Sequence, residues 1–174
     1  MFLATTADQR FWKKDDKILF LGEWCRLFNQ KHIWSQLNYQ VLPYHWQSRE
    51  EYFQAYIYLE QLYEQWLPIL AKNLNIIHNE DHSERYWRVI LSPWLYYFIQ
   101  TFYDRYLSIR RAIDSQQVKH TWIPHLSKTD FTPNDFNTFQ KWQSQDGYNL
   151  YLYSWLIKAI SIVPAETKNY STQM

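Results

Sequence analysis

The stretch "ILFLGEWC", residues 18–25, decides the fold, because four apolar residues run into a glycine and then into a carboxylate, an indole and a thiol. A continuous apolar run that ends at glycine is typical of a strand covered on both faces. Residues 39–42, "YQVL", form a second, weaker run that stops at Pro43. The residues between the two runs are numerous enough for the crossover that parallel strands require, so the pair predicts a βαβ unit.

Two long helices are predicted after the second strand. The first helix begins at a capping box formed by Ser48 and Glu51. Its apolar residues recur at steps of three and four as far as Ile77. The second helix is predicted over residues 84–113, and its uncharged stretch, residues 89–103, is interpreted as buried on every side. That stretch is shorter than the roughly 18 apolar residues that a membrane span needs.

The rest of the chain completes an α/β pattern. A third short strand is predicted near residues 120–123, and two further helices over residues 134–143 and 147–162. At 174 residues the chain has the length of one domain. We therefore predict an α/β fold with a short parallel sheet in a single domain of residues 1–163, followed by a loose polar tail over residues 164–174.

The composition excludes several classes of protein. Gly22 and Gly147 are the only glycines, so neither a phosphate-binding P-loop nor a GxGxxG dinucleotide turn can be present, and we expect no cofactor. Lys and Arg total 18 against 17 for Asp and Glu, so we expect no nucleic-acid partner. A single cysteine, Cys25, excludes an intrachain disulfide and favours a reducing compartment. Since no signal peptide is apparent either, we expect a cytoplasmic protein.

Functional side chains are predicted where the two strands end, because ligands of open parallel sheets bind at the carboxyl ends of the strands. Glu23 and Trp24 follow the first strand, and Tyr44, His45 and Trp46 follow the second. On one shared edge, Glu23 or His45 could take a proton from an acceptor hydroxyl, while Trp24 or Trp46 stacks on an apolar ligand face. The structural alternative is that both tryptophans pack on helices and that Glu23 only caps the next helix.

Three other patterns in the sequence have both a functional and a structural interpretation. Arg85 and Arg88 lie at a helix start, where an anion would be favoured, although an ordinary first turn with Arg88 paired to an acid is the competing interpretation. His78 and His82 are four residues apart, but the zinc motif HExxH requires Glu at the position of Asn79, so we predict no metal site. The lone cysteine is interpreted as a small buried residue rather than a nucleophile.

Four stretches together resemble the N-terminal part of a family of transferases encoded among bacterial surface-carbohydrate genes, such as those for lipopolysaccharide O-antigen. They are "LATTADQRFWKKDDKILFLGEWC" (residues 3–25), "YQVLPYHW" (39–46), "HSERYWRVILSPWLYYFIQTFYDR" (82–105) and "NDFNTFQKW" (134–142). The similarity covers nearly the whole chain. GEWC, LPYHW and RYWR are specific in combination, and the shared motifs contain Glu23, Trp24, His45, Trp46, Arg85 and Arg88.

The resemblance implies a helix-rich Rossmann-like domain, similar to the N-terminal half of a two-domain glycosyltransferase. Members of the family are much longer than this chain. In such enzymes the N-terminal half holds the acceptor and the C-terminal half holds the activated sugar. The implied partners are therefore a carbohydrate acceptor and, through a C-terminal domain absent from this sequence, a nucleotide-sugar donor. The chain alone is predicted to be inactive, because it lacks a glycine-rich cradle or a dense cluster of Arg and Lys for the leaving diphosphate.

Two further functions remain open at this point. A non-enzymatic interaction module would use an aromatic helical surface that a partner or a missing domain covers. Attachment to the membrane periphery is also possible, since polysaccharide precursors are often lipid-linked, but the aromatic stretch lacks the basic flank that such attachment uses.

Overall fold

The structure, a computed structural model, describes residues 1–115, 117–125 and 127–169. It divides into two compact units: the sheet unit, Met1–His45 with Arg105–Met174, and the helical unit, Trp46–Asp104. The strands are β1 Phe2–Ala4, β2 Ile18–Phe20, β3 Tyr39–Val41, β4 His120–His125 and β5 Ala165–Asn169. The helices are α1 Lys31–Trp34, α2 Arg49–His78, α3 Glu84–Asp114, α4 Phe136–Trp142 and α5 Asp146–Ile160.

All five strands are parallel, in the order β3-β2-β1-β4-β5. The register places Ile18 opposite Tyr39 and Phe2 opposite Ile18. The predicted pairing of β2 with β3 is therefore confirmed, and the strand predicted near residues 120–123 is β4. The strand order reverses between β1 and β4, as it does in doubly wound sheets. The fold is the predicted helix-rich, Rossmann-like α/β class.

The central strand β1 was not predicted from the sequence. No strand was predicted at Phe2, Leu3 and Ala4, but all three are buried and pair with β2, and the first two also pair with β4. A run of three residues is too short to show a period, so only its place in the sheet distinguishes it from a loop.

The tail was expected to be loose, which is wrong for residues 165–169. They form strand β5, which pairs with β4 from Thr121 opposite Ala165 to His125 opposite Asn169. Most of their side chains are exposed, because an edge strand is held by backbone hydrogen bonds that do not depend on apolar side chains. Residues 170–174 lie outside the described residues.

Aromatic rings form much of the core of the sheet unit. The Phe20 ring lies 5.1 Å from that of Trp12 and 5.6 Å from that of Tyr39, and the Phe2 ring lies 5.0 Å from that of Trp122, all edge to face. Such edge-to-face pairs are a preferred arrangement of packed aromatic rings. The large aromatic fraction of the sequence is therefore used, in this unit, to cover short strands.

The helical unit is built from α2 and the first part of α3. Helix α2 begins as predicted, with the Glu51 N–H donating to Ser48 Oγ over 3.3 Å, and it ends where Asn79 adopts a left-handed conformation. Asn75 holds the turn, since it donates to the His82 carbonyl and accepts from the His82 N–H and the Trp87 indole. The core between the helices consists of Leu59, Tyr63, Leu67, Leu95 and Ile99.

The apolar stretch 89–103 was predicted to be buried on every side, which is wrong. Leu95 and Ile99 are buried, but Val89, Ile90 and Tyr97 are exposed. A single neighbouring helix covers only one stripe of α3, so the other apolar faces stay open. Within the described ranges, no helix combines the length and the hydropathy needed to cross a bilayer.

Helix α4 begins later than predicted. Asp135 is its N-cap, with the Thr138 N–H donating to the Asp135 carboxylate over 2.7 Å, so the helix starts at Phe136 rather than at residue 134. A carboxylate that accepts this backbone hydrogen bond is a stronger start signal than the preceding proline.

Candidate functional site

The carboxyl ends of β1, β2 and β3 lie along one edge of the sheet. Glu23 and Trp24 follow β2, and Tyr44 and His45 follow β3, so the structure brings these four predicted residues to adjacent strand ends of the sheet unit. The other three, Trp46, Arg85 and Arg88, belong to the helical unit. We call residues 23–30 the β2 exit segment.

Glu23 presents an accessible carboxylate at the start of this segment. Its side chain is 75 % exposed and accepts a hydrogen bond from Arg26 Nη2 at Oε2. The Arg26 side chain is only 16 % exposed, and its Nη1 donates to the Tyr39 hydroxyl over 3.0 Å. The guanidinium therefore links the exposed carboxylate after β2 to a side chain of β3.

Aromatic rings hold Arg26 in this position. Its guanidinium carbon lies 4.9 Å from the ring centroid of Trp34 and 5.1 Å from that of Tyr39. The Trp34 indole in turn donates to the Leu27 carbonyl over 2.9 Å. A cation held over ring faces and hydrogen-bonded at two ends has little freedom to move. The carboxylate of Glu23 is thus positioned by a fixed charge.

Trp24 is half-buried and packs against a helix, which is the arrangement that the structural alternative proposed for it. Its ring is stacked on Tyr153 of α5, with centroids 6.2 Å apart and planes 6° apart. The indole also lies close to Gly22, where an added Cβ would lie 2.0 Å from the Trp24 ring. Glycine is therefore required at position 22 because the indole occupies the space of a side chain.

The strand end after β3 offers one exposed ring and one buried imidazole. Tyr44 is exposed, whereas His45 is only 9 % exposed, and the two rings lie 4.7 Å apart. The backbone of this loop is held by Arg111, whose Nη1 donates to the Tyr44 carbonyl over 3.0 Å. Of the two proposed bases, Glu23 is thus the one that an external ligand can reach.

Two of the three predicted residues of the helical unit, Trp46 and Arg88, have local partners. The Trp46 indole donates to Asp104 over 2.8 Å. Arg88 donates to both oxygens of Glu64, at 2.6 and 2.7 Å, and to Glu84 at 3.0 Å. Arg88 holds the pKa of the Glu64 carboxyl below its usual value. This is the paired first turn of the competing interpretation, while Arg85 is simply exposed.

A further carboxylate lies at the end of β1, next to the point where the strand order reverses. Asp146, the first residue of α5, accepts from the Thr6 hydroxyl at 2.5 Å and from the Ala7 N–H at 3.3 Å. Desolvation of the carboxyl raises the pKa of Asp146, although the residue as a whole is exposed. The two hydrogen bonds favour the charged carboxylate and so oppose this rise of the pKa. This place was not predicted from the sequence because β1 was not. The apolar run of Phe2–Ala4 before two threonines was the available signal.

A pocket of about 350 Å³ lies beside β2 and β3 but carries no acid–base chemistry. It is lined by Leu19, Gln40, Val41, Leu42, Pro43, Ser115 and Gln117, none of which is titratable. Glu23, Trp24, Tyr44 and His45 do not line it. The pocket is therefore not the centre of the proposed site.

Metal and thiol chemistry find no support in the part of the chain that the structure describes. Among those residues no group of three or more His, Cys, Asp or Glu side chains could hold a metal ion. Cys25 is buried, its thiol donates to the Ala4 carbonyl over 3.5 Å, and burial raises its pKa. A thiol whose charged form is disfavoured by burial is a poor nucleophile.

The five-stranded parallel sheet and its helices define a helix-rich, Rossmann-like α/β domain. The family model described as LIC12162 family transferase matches residues 1–173. The chain belongs to this family of transferases. Neither the curated proteins nor the solved structures contain a match to it.

Proposed function

We propose that this chain is the acceptor-side domain of a sugar transferase that acts in the cytoplasm on precursors of bacterial surface polysaccharide. The observation that carries the proposal is the match to a transferase family over residues 1–173. Its chemical support is Glu23, whose accessible carboxylate lies at the carboxyl edge of a parallel sheet. Ligands of such sheets bind at this edge.

Glu23 acts as the general base in the proposed reaction. Arg26 holds its Oε2 atom, which leaves Oε1 to accept the proton of an acceptor hydroxyl. The acceptor oxygen forms a bond to the anomeric carbon of the donor sugar, the bond from that carbon to the diphosphate breaks, and nucleoside diphosphate leaves. His45 is the second candidate for this role, but its imidazole would have to become accessible first.

Substrate binding in this proposal uses the aromatic side chains near the same edge. Tyr44 is exposed at the end of β3 and is suited to contact the acceptor. Substrate-binding roles for Trp24, Trp46, Arg85 and Arg88 stay predictions. The donor diphosphate is assigned to a C-terminal domain outside this sequence, because stabilising its charge requires a cluster of cations or backbone amides.

Two measurements on the full 174-residue chain test this function. With UDP-, GDP- and dTDP-sugars as donors, we expect no release of nucleoside diphosphate, because the donor site is elsewhere. With oligosaccharides released from lipopolysaccharide, we expect saturable binding in NMR titrations. Glu23→Gln should weaken that binding, whereas Glu80→Gln, a control at an exposed turn of the helical unit, should not. Release of diphosphate would contradict the predicted inactivity, and absence of all oligosaccharide binding would contradict the acceptor role.

A second candidate function is a non-enzymatic interaction module. The observation that favours it is the exposed apolar surface of the helical unit, which includes Phe53, Trp66, Ile76, Ile77 and Val89. Exposed apolar patches often mark protein or membrane contacts. Concentration-dependent oligomers in light scattering would support this function, and a monodisperse monomer that binds oligosaccharide would count against it. Flotation with liposomes tests attachment to the membrane periphery.

A further inference from the structure

The end of the central strand β1 carries a carboxylate to which the proposed reaction gives no role. Strand β1 lies between β2 and β4, and the strand order reverses between β1 and β4. In open parallel sheets, ligands bind outside the carboxyl ends of the strands at such a point of reversal. Asp146 of α5 lies there, because Thr6 and Ala7, which follow β1, both donate hydrogen bonds to its carboxylate. The topology therefore places this carboxylate where a ligand is expected.

Hydrogen bonds fix the loop that holds this carboxylate. The buried Thr6 hydroxyl donates to Asp146 Oδ2 over 2.5 Å and accepts from the Asp8 N–H over 3.0 Å. The Thr6 carbonyl accepts from the Trp12 indole over 2.8 Å. A ligand that binds to a preorganised group does not bear the entropic cost of ordering it. Asp146 is therefore presented to a ligand in one defined position.

Asp146 has hydrogen-bonding capacity left for a ligand. Among the residues that the structure describes, Asp146 takes part in no ion pair, whereas Arg10 donates to both oxygens of the neighbouring Asp8. Desolvation, and then repulsion from Asp8, raise the pKa of Asp146. A carboxylate has about four lone-pair sites, of which Thr6 and Ala7 use two. Since the residue is exposed, a donor from outside can reach the remaining sites and stabilise the charge.

The loop after β1 lies beside the β2 exit segment. Cys25 of that segment donates from its thiol to the carbonyl of Ala4, the last residue of β1. Trp24 stacks on Tyr153, which lies two turns after Asp146 on the same face of α5, a rise of about 10 Å. Burial raises the pKa of the Cys25 thiol, and the charge of Asp146 adds to that rise. The two strand exits are therefore neighbours at the carboxyl edge of the sheet.

We infer that Asp146 binds the acceptor sugar by accepting a hydrogen bond from one of its hydroxyl groups, a different hydroxyl from the one that Glu23 deprotonates. The inference rests on the proposed function and adds a binding residue to the same edge of the sheet. A carboxylate accepts hydrogen bonds without donating any, and a hydrogen bond from a hydroxyl to a charged oxygen is stronger than one between neutral groups. The competing explanation is that Asp146 only ties α5 to the loop after β1.

The first measurement is an NMR titration of variants of the full chain with oligosaccharides released from lipopolysaccharide. Asp146→Asn keeps an acceptor oxygen for the loop but removes the charge. It should weaken binding by about tenfold, the loss expected for a hydrogen bond to a charged group. Asp135→Asn is the matched control, because Asp135 also lies at the start of a helix of the sheet unit, where it accepts from the Thr138 N–H. This control should change the affinity by less than about twofold.

The second measurement requires no variant. The pKa of the Asp146 carboxyl in the wild-type chain is followed by its carbon chemical shift in a pH titration, with and without the oligosaccharides. Hydroxyl donors favour the charged form, so bound oligosaccharide should lower this pKa by about one, which is equivalent to a tenfold difference in affinity. A tie to the loop alone is the same in both samples and would leave the pKa of Asp146 unchanged.

The outcomes separate this inference from the function on which it rests. If the wild-type chain binds oligosaccharide and Asp146→Asn binds it equally well, the role of Asp146 is overturned while the acceptor function stands. An unchanged pKa of Asp146 in the bound chain, or equal losses of affinity in Asp146→Asn and Asp135→Asn, would overturn that role in the same way. If the wild-type chain binds no oligosaccharide, both the role of Asp146 and the acceptor function are overturned.

Discussion

The core of the sheet unit and the outer faces of the helical unit use the same kinds of residue in opposite ways. In the sheet unit, Phe2, Phe20 and Tyr153 are fully buried. In the helical unit, Tyr52 and Phe53 are both more than half exposed. A parallel sheet is covered on both faces, so side chains on either side of a strand are enclosed. Two packed helices enclose only the stripes that face each other. The place of an aromatic residue within its unit, rather than its hydrophobicity, decides whether it is core or surface, since Tyr63 is buried in the helical unit and Tyr44 is exposed in the sheet unit.

The largest difference is expected when phenylalanine is replaced by alanine in each of the two units. Phe20→Ala should lower the free energy of unfolding by about 3–5 kcal/mol, because a fully buried ring leaves a cavity between Trp12 and Tyr39. Phe53→Ala removes a ring that is 53 % exposed and should change the free energy of unfolding by less than about 0.5 kcal/mol. Urea denaturation followed by circular dichroism measures both. Equal losses would show that the ring of Phe53 is covered in solution.

A smaller difference in the free energy of unfolding is expected between substitutions of two arginines. Arg26→Met should lower the free energy of unfolding by about 1–3 kcal/mol, because it removes a mostly buried cation from the Tyr39 hydroxyl and from two ring faces. Arg88→Met breaks the ion pairs with Glu64 and Glu84 at an exposed position, so its loss should be smaller and should shrink further in high salt. A salt-independent loss for Arg88→Met, or none for Arg26→Met, would reverse the comparison.

The smallest effect concerns the sign of the pH dependence. The pKa of Asp146 is raised in the folded state, so the Asp146 carboxyl binds more protons in the native chain than in the unfolded chain. The contribution of Asp146 to stability therefore falls as pH rises from the ordinary pKa of 3.8 through the folded pKa. The pKa of Glu64 is lowered, so its contribution is present above the ordinary value of 4.5 and is lost as pH falls through the folded pKa.

Two variants measure these opposite signs. Across the acidic range, the stability of wild type relative to Asp146→Asn should decrease with rising pH, while the stability of wild type relative to Glu64→Gln should increase. Urea denaturation at a series of pH values gives both differences. The same slope for both variants would show that the two carboxyls do not differ in their surroundings as described.

Much of the fold could be predicted from local signals. The apolar run before Gly22 identified β2, and Ser48 identified the start of α2. A buried strand and a capped helix start each require particular residue types at neighbouring positions of the chain. The strand β1 could not be found in this way, since three residues show no period. The exposed faces of residues 89–103 could not be found either, because a stretch that is apolar all round does not indicate which side is covered.

The candidate site was predictable only in part. The placement of Glu23 at the carboxyl edge followed from the order of strand and loop, a rule of topology. The stacking of Trp24 on Tyr153 and the contact between Asp146 and Thr6 join residues more than a hundred positions apart. No local pattern encodes such contacts, since they depend on how α5 packs on the sheet.

By itself, the sequence determined that the chain forms parallel strands and long helices and that an acid follows a buried strand, because these properties depend on neighbours in the chain. Only the tertiary structure decided that Trp24 is packed, that Phe28 is exposed, that His45 is buried and that β1 is the central strand. The physical reason is that exposure and desolvation are set by whatever covers a side chain, and in this fold the covering residues come from distant parts of the sequence.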